Sequence, residues 1–229
     1  MPLSRLGIIG CLLLAGLVFQ PNSIASQTDI KETFSFAVIG DVGYFPQEEA
    51  GVDNLFADLN SEKSLAFVIH VGDLALPRFA CTNALLQRRL NQFQTSMHPL
   101  IYTPGDNDWT DCHEPAVVGG DPFERLKKVR ELFFAHEQSL GQSAIALTRQ
   151  SRNTSSPLSK YRENARWDHQ GLTFVTLHVV GSNNGLGQST PADAEYRERN
   201  IADLAWLKEA FRHAKAQNSR AIAASEHVP

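Results

Sequence analysis

Apolar runs alternate with helical patterns along most of this chain, and that alternation constrains the fold more than any other feature. Near-continuous apolarity is typical of strands that are covered on both faces. We predict five such strands, over residues 33–41, 66–73, 98–106, 172–181 and 220–228. Strands that are separated by helices predict an α/β domain with a largely parallel sheet.

Four segments between these runs carry apolar residues at helical spacing. We predict helices over residues 47–60 and 82–97, from Asp121 onward, and around 192–216. The third helix has a strong start signal, because Asp121 can act as its N-cap and Pro122 fits its first position.

The last predicted helix places Leu204, Leu207, Phe211 and Ala214 on one face, which we expect to be buried. Residues 140–165 are polar and rich in turn formers, so they predict a long loop at the edge of a site.

The full chain has 42% hydrophobic and 20% charged residues, which fits one globular domain. We place that domain over residues 33–229. The net charge is -4 and no Lys/Arg run is present, which argues against an electrostatic grip on nucleic acid. The sequence does not define an oligomeric state.

The first 25 residues have the pattern of a cleavable signal peptide. Arg5 precedes an apolar run over 6–19, and small residues follow it. The run is too short for a stable membrane span. Cys11 resembles a lipoprotein acylation site, but cleavage there would leave an apolar mature N-terminus. We therefore expect a secreted or periplasmic protein with residues 1–25 removed.

Three Gly-Asp pairs close predicted strands. Asp41, Asp73 and Asp106 are 32 and 33 residues apart, about one strand-helix-strand unit each. The carboxyl ends of parallel strands line one crevice, so the three carboxylates should meet there. His227 ends the last apolar run and should join them.

Carboxylates combined with an imidazole suit divalent or trivalent metal ions such as Mn, Fe or Zn. Three clustered acids also repel one another unless a cation lies between them. The pattern therefore predicts a metal site, with two ions if one carboxylate bridges them, as in phosphate-ester hydrolysis.

These motifs together resemble the calcineurin-like metallophosphoesterase superfamily. They read GDVGY (40–44), GDLAL (72–76), GDNDW (105–109) and EHVP (226–229). The resemblance implies a two-sheet β-sandwich flanked by helices. It also implies that a metal-bound hydroxide hydrolyses a small phosphomonoester or phosphodiester substrate.

Carried over by position, the resemblance implies that Asp41 binds the first metal and that Asp73 bridges both ions. Asp106 and His227 would bind the second metal. A shift of one residue would instead make Asn107 the ligand and Asp108 the nearby polar group. Both alternatives remain open from the sequence.

Departures from the family pattern concern the catalytic groups. The histidine that assists the leaving oxygen in the family is replaced by Asn107, so His178, His113 or a water molecule would have to take its place. The catalytic candidates are Asn107, Asp108 and His178. Gly43 stands where many members have a metal-binding histidine, which is closer to the purple acid phosphatase version. That subfamily places a tyrosine where this chain has Leu76.

Tyr44 is therefore a possible substitute ligand, and otherwise packs in the wall of the site. The family's last motif, G-H-x-H, is not found in this sequence. We expect a C-terminally incomplete domain, as a fragment of a longer protein or a degenerate member. The alternative function is a non-catalytic secreted domain that retains the scaffold.

Cys81 and Cys112 lie in segments that leave neighbouring predicted strands, eight residues after Asp73 and six after Asp106. In an oxidising compartment two such thiols are more often a disulfide than a metal site. We predict a disulfide that joins the two segments at the rim of the site.

Overall fold

Three of the predicted strands pair in a parallel sheet. The computed structural model describes residues 33–113, 120–152 and 155–227. The first sheet has the order β1-β2-β3, formed by β1 (Ser35–Ile39), β2 (Leu65–His70) and β3 (Leu100–Tyr102). Because the strands are parallel, their carboxyl ends lie at one edge of the sheet.

A second sheet contains the other two predicted strands and two that were not predicted. Its order is β4-β5-β6-β7, formed by β4 (Thr148–Arg149), β5 (Ala165–His169), β6 (Leu172–Thr176) and β7 (Ala221–Ser225). Only β6 and β7 pair in parallel, whereas β4–β5 and β5–β6 are antiparallel. The prediction of a largely parallel sheet is therefore right for the first sheet and wrong for the second.

The prediction of a long loop over residues 140–165 is wrong in part, because this segment contains β4 and reaches the start of β5. Neither strand has a long apolar run: β4 is only two residues long, and β5 mixes Arg166 and Asp168 with its buried residues. These two strands are instead defined by their hydrogen-bonded pairing, β4 with β5 and β5 with β6.

Helices flank the two sheets, in agreement with the general architecture that the sequence led us to expect. They are α1 (Glu49–Ser61), α2 (Pro77–Ala80), α3 (Asn83–Phe93), α4 (Pro122–Phe133), α5 (Gly181–Asn184) and α6 (Thr190–Ala216). Within the described ranges, 3-10 helices lie at Pro46–Glu48, Thr110–His113, Gln150–Arg152 and Pro157–Lys160. The short α5 is a turn with left-handed residues at Ser182 and Asn183.

The start of α4 confirms the predicted cap. The Asp121 side chain accepts hydrogen bonds from the backbone N–H groups of Phe123 at 2.9 Å and Glu124 at 3.4 Å. These bonds satisfy donors that have no partner within the helix. The Gly-Asp pair at 120–121 thus caps a helix, unlike the three that close strands.

The predicted buried face of α6 is wrong in part. Leu204 and Phe211 are 59% and 57% exposed, whereas Ala214 is buried. The buried side chains of α6 are Arg199, Ala202, Asp203, Trp206, Ala210 and Ala214. The buried face includes Arg199 and Asp203 because the surface beneath it is polar as well as apolar.

Alternation along β2 divides the core into two layers. Phe67 and Ile69 pack with Trp167 and Phe174 of the second sheet, so this layer lies between the sheets. Val68 points to the other face and packs with residues of α1, α3 and α4. Both faces of β2 are thus covered, whereas Phe36 and Val38 of β1 are exposed.

A disulfide joins Cys81, just after α2, to Cys112 in the 3-10 helix that follows β3, with the Cα atoms 5.7 Å apart. This confirms the predicted pairing. Disulfides are typical of proteins outside the reducing cytosol. The predicted signal peptide at residues 1–25 lies outside the described residues. Among those described, no helix is long and apolar enough to cross a membrane.

Candidate metal centre

The ends of four strands deliver acidic and imidazole side chains to one place. Asp41 follows β1, Asp73 follows β2 and Asp106 follows β3, while His227 follows β7 of the second sheet. One ligand atom from each of Asp41, Asp73 and His227 lies within 4.8 Å of the others. Asp73 and His227 are buried, and Asp41 is exposed. The centre is therefore open to solvent on the side of Asp41.

The backbone at the first two aspartates is in the left-handed region, with φ 56° at both Asp41 and Asp73. A non-glycine residue adopts this region at some energetic cost, and such residues are often found at functional sites. The turn is held in place by the Asp41 N–H, which donates to the Gly72 carbonyl oxygen at 3.2 Å.

Close backbone packing sets the distance between the second and third motif loops. Gly72 has φ 99°, and a Cβ atom there would collide with the backbone nitrogen of Gly105. A Cβ atom at Gly105 would in turn collide with the Asp73 carboxylate. Glycine at both positions therefore lets Asp73 and Asp106 approach each other.

The His227 ring is oriented by a backbone carbonyl. Its Nδ1 lies 2.8 Å from the Val71 carbonyl oxygen, which can only accept a hydrogen bond, so Nδ1 carries a proton. Its Nε2 lies 3.1 Å from Asp106 Oδ1 and 3.6 Å from Asp73 Oδ1. This is the arrangement that usually orients a histidine ligand.

Tyr44 lies in the cluster. Its hydroxyl is 2.7 Å from Asp41 Oδ1 and 3.0 Å from Asp73 Oδ2. Burial and hydrogen bonds to the two carboxylates raise the pKa of Tyr44 far above its ordinary value, so the hydroxyl remains a donor. Tyr44 therefore contacts two carboxylates as a hydrogen-bond donor, and its role as a substitute ligand stays a prediction.

The third motif brings Asp106 and Asn107 to the cluster in different ways. The Asp106 carboxylate faces His227 and accepts a hydrogen bond from Ser182 Oγ at 2.9 Å. For Asn107 the described contact is through its backbone N–H, which donates to Asp73 Oδ1 at 3.2 Å. The Asp106 carboxylate thus faces the cluster, and the choice of ligand between the two alignments stays a prediction.

Asp108 is fully buried and organises the loops. Its carboxylate accepts hydrogen bonds from the backbone N–H groups of Leu74 and Gly105, both at 2.8 Å, and from the Tyr102 hydroxyl at 2.7 Å. Burial raises the pKa of Asp108, against the effect of these hydrogen bonds. Its contacts are those of a structural acceptor rather than of a group facing substrate.

His178 is also fully buried, and its Nδ1 lies 2.7 Å from Glu163 Oε1. Its ring packs 5.4 Å from that of Trp109, measured between centroids. Burial lowers the pKa of His178, although the Glu163 carboxylate opposes this. This placement matches a packed histidine at the end of a strand.

The electrostatics of the cluster show an excess of negative charge. Burial and the carboxylates of Asp108 and Asp106 raise the pKa of Asp73 to about 8. Burial alone would raise the pKa of Asp106, but hydrogen bonds from His227 and Ser182 hold this pKa at about 2. Burial alone would lower the pKa of His227, but the interactions with Asp106 and Asp73 raise it to about 9. Protons or a bound cation must offset this charge.

Arg89 is a positioning residue that we did not predict. Its buried guanidinium donates to the carbonyl oxygens of Leu74 at 2.8 Å and Gly43 at 3.1 Å, next to Asp73 and near Asp41. It also pairs with Glu49 at 2.8 and 3.0 Å. One signal was available, because position 89 lies on the apolar face of α3, where an arginine must find buried partners.

Ser182 was also missed as a site residue. It lies in the Gly/Asn-rich segment after β6, where three successive residues, Ser182, Asn183 and Asn184, have positive φ values of 49°, 54° and 57°. Composition indicates a turn in such a segment, but not which hydroxyl faces Asp106.

The donor set fits a hard or borderline metal ion. Asp41 and Asp73 offer carboxylate oxygens, and His227 offers Nε2 while its Nδ1 is held by a carbonyl. Comparisons of this chain with protein-family models, with curated proteins and with solved structures found no match.

Proposed function

We propose that this chain binds two divalent or trivalent metal ions and hydrolyses a small phosphomonoester or phosphodiester, as calcineurin-like metallophosphoesterases do. The observation that carries the proposal is the meeting of Asp41, Asp73 and His227 at strand ends from two sheets. Mn, Fe or Zn would suit these donors.

Asp73 suits a bridging role. Its Oδ2 faces Tyr44, which also contacts Asp41, whereas its Oδ1 faces His227 and the backbone N–H of Asn107. The two carboxylate oxygens thus face different members of the cluster. In this proposal Asp41 holds one ion with Asp73, and Asp106 holds the other with His227.

Metal ions bound there would polarise a phosphoryl oxygen and lower the pKa of a water molecule. The chain's own residues would hold the carboxylates in place: Tyr44 donates toward Asp41 and Asp73, Ser182 donates to Asp106, and Asn107 N–H donates to Asp73. Of the three catalytic candidates, Asn107 is the one that we propose contacts the leaving group.

The alternative is a non-catalytic domain that retains the scaffold and a metal ion. The contacts of Asp108 and His178 favour it, because both side chains are fully buried and engaged in structural hydrogen bonds. Neither then serves as the acid that assists a leaving oxygen. In both cases we propose a metallophosphoesterase-like fold and a secreted or periplasmic location, which the disulfide supports.

Metal content and hydrolysis distinguish the two functions. The purified protein would be loaded with Mn, Fe or Zn, its metal measured by mass spectrometry, and hydrolysis of p-nitrophenyl phosphate and bis(p-nitrophenyl) phosphate followed. We expect Asp73→Asn to remove both bound metal and activity, while Asp58→Asn, an exposed change on α1, leaves both intact. Bound metal without hydrolysis would favour the non-catalytic domain, and unchanged activity in Asp73→Asn would refute the bridging role.

A further inference from the structure

A cavity of about 380 Å³ lies beside the candidate metal centre. Tyr44 lines it, and the hydroxyl of the same residue contacts Asp41 and Asp73. Ala75, two residues after Asp73, lines it too. Tyr44 is therefore a wall shared by the cavity and the carboxylate cluster.

The walls of the cavity are mainly apolar and aromatic. Phe45 and Phe79 line it together with Leu85 of α3. The Arg78 guanidinium lies 4.9 Å from the ring centroid of Phe79 and 6.0 Å from that of Phe45. Flat aromatic faces favour a planar partner, and a cavity of this size fits a small molecule rather than a polymer.

One cation and one acid line the cavity, Arg88 and Glu49. They lie 3.6 Å apart, and the same carboxylate also pairs with the buried Arg89 at 2.8 Å. The Arg88 side chain is 59% exposed, so it can reach a ligand that enters from solvent.

One disulfide and one helix cap hold α2 and α3 in place beside the cavity. Cys81, which follows α2, is bonded to Cys112 in the segment after β3. Thr82 lines the cavity and caps α3, because its Oγ1 accepts from the Leu85 N–H at 3.2 Å. A preformed wall lowers the entropic cost of ligand binding.

We propose that this cavity binds the aryl group of an aryl phosphoester, so that the chain prefers aromatic over small alkyl esters of phosphate. The inference rests on the proposed function, because the phosphoryl group must bind at the metal centre. It adds the class of alcohol that the substrate carries.

Two non-hydrolysable anions with the same head group test this without depending on leaving-group chemistry. Dissociation constants of phenylphosphonate and methylphosphonate would be measured by calorimetry on the metal-loaded full chain. We expect phenylphosphonate to bind at least about tenfold more tightly, because its ring is removed from water against Phe45 and Phe79.

Two variants locate the preference. Phe79→Ala removes an aromatic wall, and Ala84→Trp fills the cavity from an exposed position of α3 that tolerates a larger side chain. Both should bring the ratio of the two constants to within about threefold, with methylphosphonate binding unchanged. Ala57→Trp, at an exposed position of α1 outside the cavity, is the matched control and should keep the wild-type ratio.

The outcomes separate this inference from the function beneath it. Equal binding of the two phosphonates by the wild-type protein, alongside hydrolysis of phosphoesters, would overturn the aryl pocket and leave the phosphoesterase standing. Binding of neither phosphonate, without hydrolysis, would overturn both. A preference that persists in Ala84→Trp would place the aryl group elsewhere.

Discussion

His227 Nδ1 lies 2.8 Å from the carbonyl oxygen of Val71, the residue that follows β2. The bond connects the end of the second sheet to the first and turns Nε2 toward Asp73 and Asp106. The imidazole is therefore oriented by the backbone of the neighbouring sheet before any ligand binds.

Replacing this histidine should weaken metal binding. His227→Asn removes a nitrogen donor, and we expect metal affinity to fall by at least about tenfold, the lower range seen for changes to groups that support a metal ligand. Competition with a chelator of known affinity measures it. The control is His213→Asn, which changes a histidine that pairs with Asp168 away from the centre. Equal affinity in the two variants would remove His227 from the ligand set.

Loss of the Arg89 guanidinium should destabilise the domain. Arg89→Met removes the closest donor to the Glu49 carboxylate, and it removes the guanidinium that donates to the carbonyl oxygens of Leu74 and Gly43. We expect the free energy of unfolding to fall by about 3 kcal/mol in urea denaturation. Arg88→Met, one residue earlier and largely exposed, should change it by less than about 1 kcal/mol. Similar losses in both variants would contradict the positioning role of Arg89.

The disulfide should contribute to stability through the loop that it closes. Cys81 and Cys112 are 31 residues apart, for which chain entropy predicts about 3–4 kcal/mol. The double variant Cys81→Ser/Cys112→Ser should therefore unfold at lower urea concentration. Peptide mapping without reduction should recover the two cysteines in one linked fragment. Recovery of both as free thiols would show that the bond does not form.

Replacing Asp203 by asparagine should stabilise the folded protein, and more so as the pH rises. Burial raises the pKa of Asp203 to about 7, despite the hydrogen bond that its Oδ1 accepts from Asn164 at 2.7 Å. Its Oδ2 is buried with no hydrogen-bond partner in the described structure. The folded pKa lies above the unfolded value of 3.8, so stability falls as the pH rises between these two values.

Asp203→Asn removes the ionisation, so its gain in unfolding free energy over the wild type should be about 3 kcal/mol larger at about pH 8 than at about pH 4.5. Urea denaturation of both proteins at the two pH values measures the difference. Asp168→Asn is the control, because hydrogen bonds from Thr173 and His213 lower the pKa of Asp168 against the effect of burial. This variant should not gain stability as the pH rises. An equal gain at both pH values for Asp203→Asn would rule out ionisation as its cause.

Strand ends and helix starts were predictable because their signals are local. The apolar run before Gly72-Asp73 ends where the backbone turns, and Asp121-Pro122 combines a side-chain cap with a residue that fits the first helical position. The disulfide was predictable for a related reason, since both cysteines follow neighbouring strands at similar distances.

The buried face of α6 and the strand β5 depended on partners far away in the chain. Leu204 and Phe211 have helical spacing, yet α6 buries Arg199 and Asp203 instead, which contact Asn184 and Asn164. The periodic pattern of a helix shows which faces could be buried, but it gives no information on the distant residues against which one face will pack.

Short apolar runs were enough to predict that acidic residues end three parallel strands and that a histidine ends another. Which atoms meet follows from the packing of distant segments: His227 Nε2 contacts Asp106, Tyr44 contacts two carboxylates, and Asp108 contacts the loops rather than the cluster. Such contacts join residues from separate loops and two sheets, and their geometry follows from how those elements pack.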